Sequence, residues 1–360
     1  MPFEVITPAD SRWLSVLSTS NAGIFYTPEY CGLHRAEGSS PAMLLYQDDL
    51  GIAFDVTAIK DVASLPFYES IAGQFAHRPI DLANPIYNGP IVVSKDADQP
   101  ELLRRYREAL DQFCADNHVV TEFVRFHPLY EYSQTLSRIQ ELIPVSDILY
   151  VDLKNGYEAA HKQYRKGHRW AAQKAAREGA SWSIVEPDDD HLATFTRLYE
   201  WTQQRNETRS MYVHEESFFR SLFDLLKSRA LLVESYAHGD VVSSSIFLDD
   251  KACLWYQYSG SALNLLGTNA HTFVMDKMVA WAASKGISYL VLGGGGDPHD
   301  PADGVAKFKR GFSHLMGKVH QLKKVHHPAT LETLLLAKER YNRSMGREVQ
   351  GNWFPSYWLD

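Results

Sequence analysis

The stretch from Tyr289 to Phe312, YLVLGGGGDPHDPADGVAKFKRGF, constrains this chain more than any other. A short run of strand composition (Ile287, Tyr289, Leu290, Val291, Leu292) breaks into four glycines, Gly293 to Gly296. A polar turn with Pro298 and Pro301 follows. Asp303 then opens a short helix carrying Phe308, Lys309, Arg310 and Phe312. A strand that stops in glycine lets a ligand approach the backbone with no Cβ in the way. The helix behind it delivers fixed cations to the same rim. That is the anatomy of a substrate site.

At 360 residues the chain exceeds one average domain, and two domains of about 150–200 residues are expected. A 45% hydrophobic and 22% charged composition is that of a globular protein. No apolar run reaches the roughly 20 residues of a spanning helix, and the N-terminus lacks the regions of a signal peptide. The cytoplasm is the expected compartment. Cys31, Cys114 and Cys253 lie far apart, outside any CxxC, so buried free thiols are expected rather than a disulfide framework. A net charge of -8 excludes a wholly basic nucleic-acid binder while allowing one local basic face.

No internal repeat or low-complexity segment is visible. Short helices are expected at 8–18 and 27–36, then a hairpin (PAMLLYQ, GIAFDVTAI) turning at Asp48–Gly51. Residues 62–96 read as irregular, ending in a strand at Ile91–Val93; Tyr87 there lines either a pocket or a structural turn. Leu102, Leu103, Tyr106, Leu110, Phe113 and Cys114 fall at helical spacing between Pro100 and His118. A strand at 119–126 follows, and this mixed α/β half ends near Pro144.

The second half starts with a strand at 147–153. One long helix from Asn155 to Arg177 is expected, with Lys162, Lys166, Arg169 and Arg177 on roughly one face and Arg165 and Lys174 beside them. After the strand SWSIVE, helices at 191–206 and 215–228 flank a loop with Arg205, Arg209 and Tyr212. Three strands (230–240, 241–250, 252–260) make an antiparallel meander. A helix stopping at Gly286 leads into the glycine-rich stretch. A strand at 318–327, a helix from Ala329 and an aromatic tail that packs back complete the chain. The expected division is 1–146, 147–328 and a C-terminal 329–360.

The order helix–strand–helix–helix, meander, helix–strand–Gly turn–helix–strand resembles the GNAT acyltransferase fold. YRKGHRWAAQKAAREGA, LYEWTQQRNETRSMY, LWYQYSGS and above all LGGGGD…VAKFKRGFS resemble its Fem branch. Those enzymes move an amino acid from aminoacyl-tRNA onto an amine. The resemblance covers 148–327 well and 1–147 loosely. It implies an α/β fold with mixed sheets and two tandem GNAT-like domains, the first degenerate. No long coiled-coil arm is visible, so the compact type is expected. The same pattern occurs in GNAT acetyltransferases of polysaccharide synthesis, so the resemblance constrains the chemistry better than the donor.

Acyl transfer to an amine passes through a tetrahedral oxyanion that must meet preorganised donors. The resemblance makes Lys309 that donor, or a clamp on a donor phosphate, with Phe308 beside it. Arg310 points about 100° away and either joins the donor site or holds the chain end. Gly294 and Gly295 either cradle phosphate through N–H groups or admit substrate to the backbone; GxxxxGK[ST] and GxGxxG are absent. Of the CoA-pyrophosphate pattern only Gly267 remains, in LNLLGTNAH, which argues against acetyl-CoA.

Candidate bases for the amine proton are Glu122, Asp297, His299 and Asp300, with Tyr256 or Tyr258 as acid. Spacing in DPHD (297–300) does not match a metal site, and no metal is expected. With no GxSxG or Cys–His constellation, direct attack in a ternary complex is expected. The resemblance places Arg205, Arg209 and Tyr212 on an anionic acceptor, and Lys162, Lys166 and Arg169 are either a tRNA face or a solvated helix. The resemblance implies no bound cofactor, with aminoacyl-tRNA or acyl-CoA expected as co-substrate and a small or sugar-linked amine as acceptor. A non-catalytic binding module remains the reading from another class.

Overall fold

Runs rich in β-branched and aromatic residues form the strands, and runs with apolar residues three and four apart form the helices. The computed structural model of the chain describes residues 2–34, 37–84, 87–130, 135–206, 214–293, 299–300, 302–347 and 353–359. The first part holds β1 (Phe3–Ile6), α1 (Arg12–Ser18), α2 (Pro28–Leu33), β2 (Ser39–Asp48) and β3 (Gly51–Asp61). It continues with β4 (Ile80–Ala83), β5 (Ile91–Ser94), α3 (Gln99–Asp116) and β6 (Val119–Arg125). Next come β7 (Ile143–Asp152), α4 (Gly156–Lys162), α5 (Lys166–Arg177), β8 (Ser181–Val185), α6 (Asp189–Arg205) and α7 (Glu216–Leu226). The meander is β9 (Ala230–Ala237), β10 (Asp240–Asp250) and β11 (Cys253–Ser261). After it stand α8 (Ala270–Ser284), β12 (Tyr289–Val291), α9 (Gly304–Lys309), β13 (Leu315–Val325) and α10 (Pro328–Ser344).

The chain divides into two units, Met1–Ser146 with Val319–Asp360, and Asp147–Lys318. Both repeat one plan. In the first, β1, β2, β3 and β4 pair antiparallel in turn, α3 crosses over, and β6 joins β4 in parallel. In the second, β8, β9, β10 and β11 do the same, α8 crosses over, and β12 joins β11 in parallel. A helical crossover is what a parallel neighbour requires. Each plan is closed by one more antiparallel strand: β13 on β6, with Gln321 opposite Arg125, and β7 on β12, with Tyr289 opposite Asp152. Residues 319–328, grouped with the second half on sequence grounds, therefore sit in the first unit, because β6 needs a partner along its free edge. Both units are mixed α/β, and the longest described helix, α3, has 18 residues.

One expected helix is two. The long helix read from Asn155 to Arg177 breaks at Gln163–Arg165, where Arg165 is extended at ψ 143. There its N–H donates to the Gly311 carbonyl at 2.9 Å, and the Tyr164 ring turns into the core against Phe312. The basic residues consequently do not form one stripe: Lys162 ends α4, while Lys166 and Arg169 begin α5.

The second unit's core joins Val151, Phe247, Leu254 and Leu290 of the sheet to Val274, Met275 and Met278 of α8. Each such side chain contributes about 1.5–3 kcal/mol on burial, and together they fix where β11 and β12 end. In the first unit, Leu102, Leu103, Tyr106 and Leu110 of α3 pack on Leu44, Leu82 and Val124. The tail packs back there, as Tyr357 and Trp358 donate to buried Asp81 at 2.6 and 2.7 Å. No described helix is long and apolar enough to cross a membrane.

Candidate active site

The site is built where β12 ends. The parallel ladder of β11 and β12 runs over three pairs, the last Trp255 with Val291. Gly293 follows at φ +74, where a Cβ would lie 2.5 Å from the Tyr256 carbonyl oxygen. Only glycine combines that left-handed backbone with so close an approach. Its own carbonyl accepts a hydrogen bond from Lys309 Nζ at 3.0 Å.

Lys309 reaches that carbonyl from α9, whose start is fixed by Asp303, the side chain of which accepts from Ala306 N at 2.8 Å. Lys309 is 5% exposed. Burial pushes its ammonium down to about 7, with Asp303 pulling the other way. An amine with such a value changes charge near neutrality and responds to any anion formed beside it.

Phe308 precedes it and packs at 4.8 Å on the ring of His271, the second residue of α8. The Tyr256 hydroxyl lies 2.9 Å from His271 Nε2. Burial raises the Tyr256 phenol to about 12, with the Ser259 and Ser245 hydroxyls restraining the rise. Burial lowers His271 to about 4, and the Arg205 guanidinium acts in the same direction. Tyr256, His271, Phe308 and Lys309 are thus linked by direct contacts around Gly293. His271 was not legible as a site residue, since it stands 15 positions after Tyr256 in an ordinary helix start.

A second histidine braces the far side of α9. His168 Nε2 donates to the Phe308 carbonyl at 3.0 Å, and its ring meets Phe312 edge-on at 4.9 Å. A Cβ on Gly311 would fall 1.9 Å from that nitrogen. The FKRGF sequence is therefore held by α5 on one side and α8 on the other.

Other sequence candidates are placed as follows. Arg310 donates to the Asp300 carbonyl at 2.8 Å, holding the turn before α9. His299 Nε2 lies 2.5 Å from Asp147 Oδ2, and Lys318 Nζ lies 3.0 Å from Oδ1. Arg205 ends α6 with its guanidinium 3.5 Å from Ser261 Oγ. Gly267 is exposed in the turn before α8, and nothing lies within 4 Å of its Cβ position. Tyr258 packs among Tyr199, His214 and Phe219. Lys162 and Lys166 are exposed, whereas Arg169 folds back on the Lys162 carbonyl at 2.9 Å. Gly294, Gly295, Asp297, Arg209 and Tyr212 lie outside the described residues.

Two candidates belong to the first unit. Tyr87 stands between the Phe25 ring at 6.2 Å and the Arg125 guanidinium at 6.0 Å. Glu122 is bound by Arg107 through two hydrogen bonds of 2.6 and 2.8 Å. Burial alone would raise its carboxyl, but Arg107 holds it far below the usual range, which unsuits it as a base. Asp111, Glu122 and His326 converge closely enough to suggest a cation site. Their carboxylates are already matched, Glu122 by Arg107 and Asp111 by Lys324 Nζ at 2.6 and 2.7 Å.

The acetyltransferase (GNAT) domain family matches residues 162–310, which span both bracing helices, Tyr256, His271 and Lys309. No curated protein matches the sequence. Among solved structures, FemX superposes with a TM-score of 0.68 at 12% identity, covering 89% of this chain and 97% of that one. A conserved protein of unknown function from Bacteroides thetaiotaomicron gives 0.56 at 10% identity, with 90% and 99% covered. The C-terminal domain of a putative lysylphosphatidylglycerol synthetase from Agrobacterium fabrum gives 0.50 at 13% identity, with 91% and 94% covered. At these identities the likeness is one of fold.

Proposed function

We propose that this chain, an acyltransferase of the GNAT superfamily with the fold of a Fem-type enzyme, moves an aminoacyl group from aminoacyl-tRNA to an amine. The acceptor is a small or sugar-linked amine that attacks directly, with no covalent enzyme intermediate. The carrying observation is the Lys309 ammonium, buried and fixed on the Gly293 carbonyl at the end of β12.

The amine nitrogen attacks the ester carbonyl carbon, and the carbonyl electron pair becomes an oxyanion. Lys309, anchored on the Gly293 carbonyl, meets that oxygen with its charge, in a site dry enough for the charge to count. The C–O bond to the ribose then breaks, and the amine's surplus proton ends on the leaving hydroxyl. Arg205, charged and next to His271, suits an acceptor carrying phosphate or carboxylate. The exposed Lys162 and Lys166 suit the tRNA backbone. A structural neighbour named for lysylphosphatidylglycerol, itself an aminoacyl conjugate, supports this class of donor.

An acyl-CoA-dependent N-acetyltransferase acting on an amino sugar is the second reading, favoured by the acetyltransferase family match. Against it stands the turn before α8, LNLLGTNAH, in which only Gly267 remains of the CoA-pyrophosphate pattern.

Purified protein offered labelled aminoacyl-tRNA and labelled acetyl-CoA in parallel, each with a free-amine acceptor, tests both. RNase-sensitive transfer is expected. Turnover with acetyl-CoA alone rejects the tRNA donor, and ligand binding without product from either supports a binding module instead.

A further inference from the structure

The Tyr256–His271 pair is more than packing around the proposed site. Its hydroxyl–imidazole distance of 2.9 Å is that of a well-made hydrogen bond. The imidazole is held on the other side by Phe308, the residue before Lys309. Among the described residues, the charged or titratable groups facing the imidazole are Tyr256 from β11 and Arg205 from α6, with Lys309 one residue beyond Phe308 on α9.

We propose that His271 is a positioning residue for acyl transfer, donating its Nε2–H to the Tyr256 oxygen so that the phenolic hydrogen is aimed at the leaving group. The proposal rests on the acyltransferase reading above. As the C–O bond breaks, its electron pair goes to the ribose oxygen, which takes the Tyr256 proton. The phenolate that remains takes the surplus proton from the new amide nitrogen, so tyrosine is restored and nothing is oxidised or reduced. During that exchange the Ser259 and Ser245 hydroxyls steady the phenolate oxygen, and of the two neutral imidazole tautomers only the one with hydrogen on Nε2 adds a further donor. A neutral imidazole serves this role without adding a second full cation beside Arg205. The depressed value of His271, about 4, agrees with neutrality throughout the working range.

Two measurements on the full chain decide it. Nitrogen-15 histidine NMR, with the His271 signal assigned by its loss in His271→Gln, reports the tautomer without needing a substrate. A neutral ring protonated on Nε2 from about pH 5 to 8 is expected. A ring protonated on Nδ1, or one titrating near about 6.5, overturns the proposal. With whichever donor turns over, His271→Phe is expected to lower kcat roughly 10²-fold and leave donor KM unchanged. His271→Gln, which keeps an N–H close to the Nε2 position, is expected to recover most of that loss. Equal losses in both variants, a loss confined to KM, or no loss rejects the role while leaving the acyltransferase reading intact. Absence of transfer from both donors rejects that reading, and this role with it.

Discussion

His168 and Gly311 occupy one another's space: the imidazole fills the volume where any other residue at 311 would place its Cβ, 1.9 Å from Nε2. This contact seats α9, because the same nitrogen holds the Phe308 carbonyl and the Gly311 carbonyl holds Arg165 N. Gly311→Ala is expected to destabilise by about 1–3 kcal/mol, the usual cost of overpacking, and to lower activity by shifting Lys309. Thermal melts check it. His168→Ala added to Gly311→Ala should be more stable than Gly311→Ala alone, since the obstructing ring is gone.

Gly293 is constrained twice over, by φ +74 and by the Tyr256 carbonyl. Backbone cannot swing aside as a long side chain can. Gly293→Ala therefore adds the roughly 1–2 kcal/mol of left-handed strain to a steric displacement of the carbonyl that Lys309 holds. The expected result is a lower Tm together with a kcat loss comparable to removing the Lys309 ammonium. A variant with lowered Tm and full turnover would detach the Gly293 carbonyl from the chemistry.

Part of the candidate site was legible because its signals are local. A strand ending in glycine, an Asp cap and the FKRGF helix follow one another within 24 residues and name Lys309 and Phe308, while Tyr256 comes from the separate run LWYQYSGS. His271 and His168 were not legible, since each acts through a partner 15 or 140 residues away. The break between α4 and α5 was hidden for the same reason: Arg165 leaves the helix to meet Gly311, a contact that no helix pattern encodes. The short strands β1 and β4 have four residues each and take their conformation from the sheet rather than from propensity. β13 reads as a strand in any context; its pairing with β6 is a long-range choice.

The Arg107–Glu122 pair in the first unit is predicted to be structural. Both side chains are buried and joined by two hydrogen bonds. Glu122→Gln leaves the buried guanidinium only the longer contact to Asp111, at 3.4 Å, and about 3 kcal/mol of destabilisation is expected. Because Arg107 holds the folded carboxyl below its ordinary value, the pair's contribution is complete above the unfolded carboxylate range near about 4.3. It is lost as pH falls below that. Denaturant unfolding at neutral and acid pH checks both statements: the gap between Glu122→Gln and the unmodified chain should shrink in acid. An unchanged gap would mean that something other than ionisation holds Glu122.

Lys309 makes the opposite demand on the fold. In the unfolded chain its amine titrates near about 10.4, and in the folded chain burial brings it to about 7. Between these values the unfolded state binds more protons, so this group's contribution to stability rises as pH climbs from about 7 to about 10. Lys309→Met fills nearly the same volume without the charge, whereas Lys309→Ala would also open a cavity in this buried place. Lys309→Met is therefore expected to be more stable than the unmodified chain near neutrality, with the advantage narrowing as pH rises toward 10. Turnover should fall roughly 10²–10³-fold, the loss expected on removing an oxyanion donor. Denaturant melts across that range and single-turnover rates read the two effects separately. A more stable variant that still transfers at the original rate would show Lys309 to be a buried charge without a catalytic task.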